Sequence, residues 1–134
     1  MVTRRRALAD TSLFVGLETE RVTEQLLADY DLGVSAITLG ELRLGVLSAS
    51  TRGEPESASR RLATYQLARQ FDPLPVDEAV SDAWALLVAQ LRADRRKAPI
   101  NDTWIAATAL AHDLPVITQD PDYAAMPGLT AIKV

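Results

Sequence analysis

The strongest constraint on this chain is the order of its segments: short apolar runs of strand character alternate with longer stretches of helical periodicity from end to end. Parallel strands of one sheet need long crossover connections, usually helices, so this alternation predicts an α/β domain with helices on both faces of a parallel sheet. With 134 residues there is room for one core of that kind, and a single domain over residues 1–134 is expected.

Ala7-Leu8-Ala9 reads as the end of a first strand, and Asp10-Thr11-Ser12 as the start of a helix, with helical character again over residues 21–28. Gly33 breaks that pattern before a second strand at residues 34–37. Thr38-Leu39-Gly40-Glu41 has capping-box spacing, with Leu42, Val46 and Leu47 as the apolar face of the helix it opens. Residues 50–57 read as a loop ahead of a helix carrying Leu62, Tyr65 and Ala68. Leu74-Pro75-Val76 is a third strand at a sheet edge, because proline has no amide hydrogen for a central ladder. Val80, Ala83, Trp84, Leu87, Val88 and Leu91 recur at helical spacing and end in the charged run at residues 92–97. Pro99 interrupts, Asn101 is a cap, and a helix runs to His112; residues 114–118 and 129–134 are the fourth and fifth strands.

Four acidic residues acquire addresses from this reading. Asp10 follows strand one, Glu41 follows strand two and Asp120 follows strand four. In an open parallel sheet, ligands bind beyond the carboxyl ends of the strands. Asp102 opens the helix leading into strand four, a position that by itself points to the opposite edge unless the preceding loop carries it across. Each acid alone has a structural explanation: Asp10 as a helix cap, Glu41 as the returning member of the capping box, Asp102 at a helix dipole, Asp120 in a turn with Asp122. Together they imply a cation, since carboxylates gathered in one place oppose each other's ionisation.

Composition narrows the chemistry. The absence of Cys and the single His112 exclude thiolate metal sites and make a histidine triad or zinc site a poor fit, leaving a hard ion held by oxygen, Mg²⁺ or Mn²⁺. Such ions lower the pKa of water and stabilise a phosphodiester's leaving oxygen, so hydrolysis needs no organic cofactor. Thr11, Ser12 and Thr118 are secondary candidates, placed to orient a carboxylate or water. A net charge of −4 argues weakly against a nucleic-acid partner, but four of the 18 acids are those assigned to metal. No apolar run is long enough to span a membrane and no export signal is read, so a cytoplasmic location is expected.

The motifs resemble those of the PIN-domain ribonucleases, and among them the VapC-type toxins of bacterial toxin–antitoxin pairs, over essentially the whole chain. The residues that carry the resemblance are Leu8-Ala9-Asp10-Thr11-Ser12-Leu13-Phe14, Ile37-Thr38-Leu39-Gly40-Glu41-Leu42, Asn101-Asp102-Thr103-Trp104-Ile105-Ala106-Ala107-Thr108-Ala109 and Thr118-Gln119-Asp120-Pro121-Asp122-Tyr123. The resemblance implies a three-layer α/β/α sandwich with sheet order 3-2-1-4-5, and Asp102 brought beside Asp10. It also implies metal-dependent cleavage of RNA at Asp10, Glu41, Asp102 and Asp120, an antitoxin bound over the active site, and a homodimer. Asp120 is taken as nearer the metal, with Asp122 in support.

Arg43 is a candidate phosphate contact, and Trp104 and Tyr123 are candidates to stack on an RNA base, with core packing the better fit for Trp104; the basic runs at residues 4–6, 60–61 and 95–97 fit solvated tails or helix ends better than phosphate contacts. Trp84, on an apolar stripe, reads as core or dimer interface. Two other functions compete. A phosphoryl-receiver or phosphohydrolase domain usually pairs acids after strand one, where this chain has Thr11 and Ser12. A non-catalytic interaction module of the same fold gains nothing from four intact acids.

Overall fold

The computed structural model describes residues 4–134. Strands β1 (Arg5–Ala9), β2 (Tyr30–Ser35), β3 (Asp72–Leu74), β4 (Val116–Thr118) and β5 (Ala131–Lys133) form one sheet in the order β3-β2-β1-β4-β5, with every pairing parallel. Helices α1 (Thr11–Glu18), α2 (Gln25–Asp29), α3 (Ala36–Thr51), α4 (Pro55–Ala68), α5 (Glu78–Ala93) and α6 (Ile100–Ala111) fill the connections, with a 3₁₀ turn at Pro121–Ala125. This is the expected architecture and strand order. Among the described residues no helix is long and apolar enough to cross a membrane.

Central β1 shows how the sequence builds three layers. Its residues alternate between faces, so Leu8 joins one core with Leu87, Leu91, Ile105 and Val116, while Ala7 and Ala9 join the other with Leu13, Phe14, Val34 and Ile117. Burying a Leu, Ile or Phe side chain contributes about 1.5–3 kcal/mol, and helices α5 and α6 on one side and α1, α3 and α4 on the other supply most of that cover. The sheet's small central residues leave the helices room to approach.

Several boundaries differ from the sequence reading for local reasons. Helix α3 is capped by Ser35, whose hydroxyl accepts from the Ile37 amide at 3.1 Å, so the helix starts earlier and Thr38 and Glu41 form no capping box. Glu41 lies inside the helix and is free for other contacts. Helix α1 ends at Glu18, and Glu20 takes a positive φ of 61°, so residues 21–24 do not continue it. The loop at residues 50–57 shrinks because α3 runs to Thr51 and Pro55 opens α4, a position where the missing amide costs nothing. Strand β3 precedes Pro75 and contains Pro73 instead, but it is an edge strand as proline requires. Helix α6 begins at Ile100, which puts Asn101 and Asp102 in its first turn and leaves Asn101 without a capping role.

Candidate active site at the carboxyl edge of the sheet

Asp10 leaves the end of β1 as the cap of α1, its Oδ1 accepting from the Leu13 amide at 3.1 Å. Two hydroxyls hold the same carboxylate: Ser12 donates at 2.8 Å to Oδ1, and Thr118, at the end of β4, donates at 2.8 Å to Oδ2. The amides of Gln119 and Asp120 in turn donate to Ser12 and Thr118, at 2.9 and 2.8 Å. The network therefore runs from two backbone amides through two hydroxyls onto one carboxylate, each bond polarising the next. Asp10 is only 2% exposed, and burial pushes its carboxyl above the ordinary value in spite of these donors.

Glu41 is held by a separate set. Thr11 donates to its Oε1 at 2.6 Å while lying 3.1 Å from the buried Thr38 hydroxyl, and the Asn101 amide reaches Oε2 at 3.4 Å. Thr11, which stands where a phosphoryl receiver usually has its paired acid, thus positions Glu41 instead.

Asp102 meets Asp120 and Asp122: one oxygen from each lies within 4.8 Å of the others. The Tyr123 hydroxyl donates to Asp102 Oδ1 at 3.2 Å, and Asp120 caps the 3₁₀ turn by accepting from the Asp122 amide at 2.9 Å. Burial first, and the negative charge of Asp120 next, push the Asp102 carboxyl up to about 6; Tyr123 opposes this, while Glu41 and Asp10 add to it. The Tyr123 hydroxyl, buried among carboxylates, is pushed well above its usual range and stays protonated as a donor.

These groups line one cleft of about 660 Å³, bordered by Asp10, Glu41, Asp102 and Asp120, with Arg21 and Lys133 also on its walls. The expectation that its helix position points Asp102 to the opposite edge is corrected here. A crossover helix runs back along the sheet, so the start of α6, the last helix before β4, lies at the carboxyl edge. Asp122 stands with Asp102 and Asp120 in the tight triad, whereas Asp10 and Glu41 face the cleft outside it. Thr11 and Ser12 line the cleft, and Thr118 reaches it through Asp10. Arg43 is exposed on α3 with its guanidinium 5.8 Å from the Tyr65 ring and does not border the cleft. Trp104 stacks on Trp84 at 4.4 Å, so at least one face of its ring is taken by protein.

Tyr123 is fully buried and so presents no face to a base; its hydroxyl supports Asp102 instead, a role the sequence reading misses, as it misses Asn101 as a support for Glu41. The signal for Tyr123 was its place in the 3₁₀ turn that follows Asp120, where a residue with an apolar body and a polar tip suits burial beside a carboxylate. Arg21 was missed because it belongs to the short turn that reading had merged into a helix.

The donor set is all oxygen, with no His or Cys on the cleft, and carboxylates that raise each other's pKa are relieved by a cation. Such a site on a 3-2-1-4-5 parallel sheet fits the PIN class, and the PIN-domain family model matches residues 7–129. The chain belongs to this family. Within it, it stands with the VapC ribonucleases: it is 61% identical to Ribonuclease VapC4 of Mycobacterium tuberculosis over 97% of this chain and 98% of that one. It is 39% identical to Ribonuclease VapC5 of the same organism over 93% and 90% of the two chains. A solved structure of a VapBC family member, VapBC-5 from M. tuberculosis, superposes with a TM-score of 0.80 at 38% identity, covering 96% and 98% of the two chains.

Proposed function

We propose that this chain is a Mg²⁺- or Mn²⁺-dependent endoribonuclease and the toxin of a toxin–antitoxin pair. The observation that carries the reading is the meeting of Asp10, Glu41, Asp102 and Asp120 at one cleft, where burial first and the charge of Asp120 next raise the Asp102 pKa to about 6. Asp10, Asp102 and Asp120, with Glu41 and Asp122, are the residues that would hold the ion. When bound, such an ion supplies the positive charge that favours ionised water and steadies the phosphodiester's leaving oxygen.

The chain's own groups set the stage for that chemistry. Ser12 and Thr118 donate to Asp10 and favour its ionised, ion-binding form; Tyr123 does the same for Asp102. Thr11 and Asn101 each donate to one oxygen of Glu41 and fix its carboxylate in a set orientation at the cleft. Arg21 and Lys133 offset the cleft's negative field and favour approach of a phosphate. His112, the C-cap of α6, does not border the cleft, so no histidine is available there for proton transfer.

An antitoxin and a second copy of the chain complete the reading. Its support is the likeness to VapBC family proteins, together with the exposed Leu44, Leu47 and Leu62 on α3 and α4 and Leu86 on the opposite layer. Incubation with RNA tests the activity: cleavage is expected with Mg²⁺ or Mn²⁺, abolished by EDTA and restored by either ion, without 2′,3′-cyclic phosphate products. Cleavage that persists in EDTA contradicts it.

A further inference from the structure

A furrow of about 520 Å³ opens on the α5–α6 layer, with Trp84 and Ile100 in its wall and Arg92, Arg95, Arg96 and Lys97 along its edge. In a chain of net charge −4 with 14 basic residues, this collects four cations within six positions, Asp94 being the one acid among them. All four are exposed, and among the described residues none is in an ion pair; the pairs that form involve Arg6 and Arg52.

The furrow leads toward the acidic cleft. A smaller notch of about 180 Å³ shares Arg96 and Lys97 with it and continues to Pro121 and Asp122. Pro121 also borders the cleft, and Thr103, at the furrow, follows Asp102 in the first turns of α6. Arg96 is tied to the 3₁₀ turn by donating to the Ala125 carbonyl at 3.0 Å, which fixes the basic loop beside the acids. Trp84 is equally fixed, stacked on Trp104 within 4° of parallel and donating from Nε1 to Thr103 at 3.0 Å.

We propose that this furrow holds single-stranded RNA next to the bond being cleaved, with phosphates against Arg92, Arg95 and Lys97 and an unpaired base against the Trp84 wall. The proposal rests on the ribonuclease reading of the cleft. A rigid aromatic surface with unpaired cations beside it suits single-stranded nucleic acid, because bases stack without regard to sequence and phosphates take the cations. A two-fold related copy docking here would bring an identical cationic edge against this one, like charge on like.

The test is the triple variant Arg92→Gln/Arg95→Gln/Lys97→Gln, with Arg96 left to hold the loop, and Arg92→Lys/Arg95→Lys as the charge-conserving control. With random-sequence single-stranded RNA and Mg²⁺, the Gln variant should show KM raised about tenfold or more and kcat within about twofold. Its slope of log affinity against log salt should be shallower by up to about 2, since each single-strand phosphate contact contributes about 0.7. The Lys variant should keep the parent slope. Both Trp residues of the chain lie in the stacked pair, so the same RNA should quench the parent's tryptophan fluorescence. Unchanged KM and slope in an active Gln variant would overturn the proposal while leaving the ribonuclease reading standing. Conversion of a dimeric parent to a monomer, with RNA affinity unaltered, would overturn it in favour of a second copy. A parent that cleaves no RNA with either ion overturns both.

Discussion

Thr118 donates to Asp10 Oδ2 at 2.8 Å across 108 positions of sequence, and the same hydroxyl accepts from the amide of Asp120. The ends of β1 and β4 are thereby locked together at the floor of the cleft, and the residue that orients one acid also fixes the backbone of another. Thr118→Val should keep the shape and lose both bonds. Leaving the part-buried Asp120 amide without its acceptor costs about 1 kcal/mol of stability. Metal titration of cleavage should show a midpoint raised about 10–100-fold, the usual effect of removing a group that supports a ligand. A midpoint equal to the parent's would remove Thr118 from the site's machinery.

Tyr123 is completely buried and gives Asp102 its one side-chain donor among the described residues. Tyr123→Phe preserves the ring and deletes that bond, which favours the ionised carboxylate, so the Asp102 pKa should rise beyond about 6. The acid limb of the pH–activity profile, measured at limiting metal, should then move to higher pH, because proton and cation compete for the same oxygens. A profile that stays in place contradicts the coupling.

The metal-free protein should respond to acid in the unusual direction near neutrality. Asp102 has a folded pKa of about 6 against an ordinary value of 3.8, and Asp10 is raised as well. Between those values the folded state holds protons that the unfolded chain has released, so this contribution to stability grows as pH falls from above 6 toward 4. Thermal melts in EDTA should show the midpoint rising from pH 7.5 to about pH 5, a span set by those two pKa values, and Asp102→Asn should flatten the rise. Excess Mg²⁺ should reverse the order by stabilising the higher-pH form.

Gly16 is buried on α1, where an added Cβ would lie 2.6 Å from Val22 Cγ2 and 2.7 Å from Gln119 Oε1. Its carbonyl also accepts from the amides of Arg21 and Val22, which sets the turn that brings Arg21 to the cleft. Gly16→Ala should cost about 1–3 kcal/mol through overpacking, read as a lower denaturant midpoint. An unchanged midpoint would show that Val22 and Gln119 move aside freely.

The alternation of strands and helices made the sheet legible in the sequence, because period and turn residues are local properties. Asp10 and Asp120 were placed by the same logic, since each follows a strand directly. Glu41 was placed correctly after β2 but with the wrong local role: Ser35 and Thr38 are both good caps, and it is the Ser35 hydroxyl that accepts from the Ile37 amide, so the helix starts at Ala36. The links that cross the fold were not legible. Thr11 to Glu41, Asn101 to Glu41 and Tyr123 to Asp102 span 30, 60 and 21 positions, and nothing periodic connects them. The direction of α6, and with it the side on which Asp102 emerges, follows from chain return across the sheet more than from any residue near Asp102.

The central claim is that the cleft carboxylates hold the ion that makes RNA hydrolysis possible. Its most direct measurement is single-turnover cleavage of RNA with saturating Mg²⁺ by the parent and by Asp102→Asn, both checked as folded by circular dichroism. The account predicts a fall of at least about a hundredfold in rate for the variant, with its metal-free fold as stable as the parent's or more so. Cleavage at the parent's rate by a folded Asp102→Asn, with contaminating nuclease excluded, would contradict it.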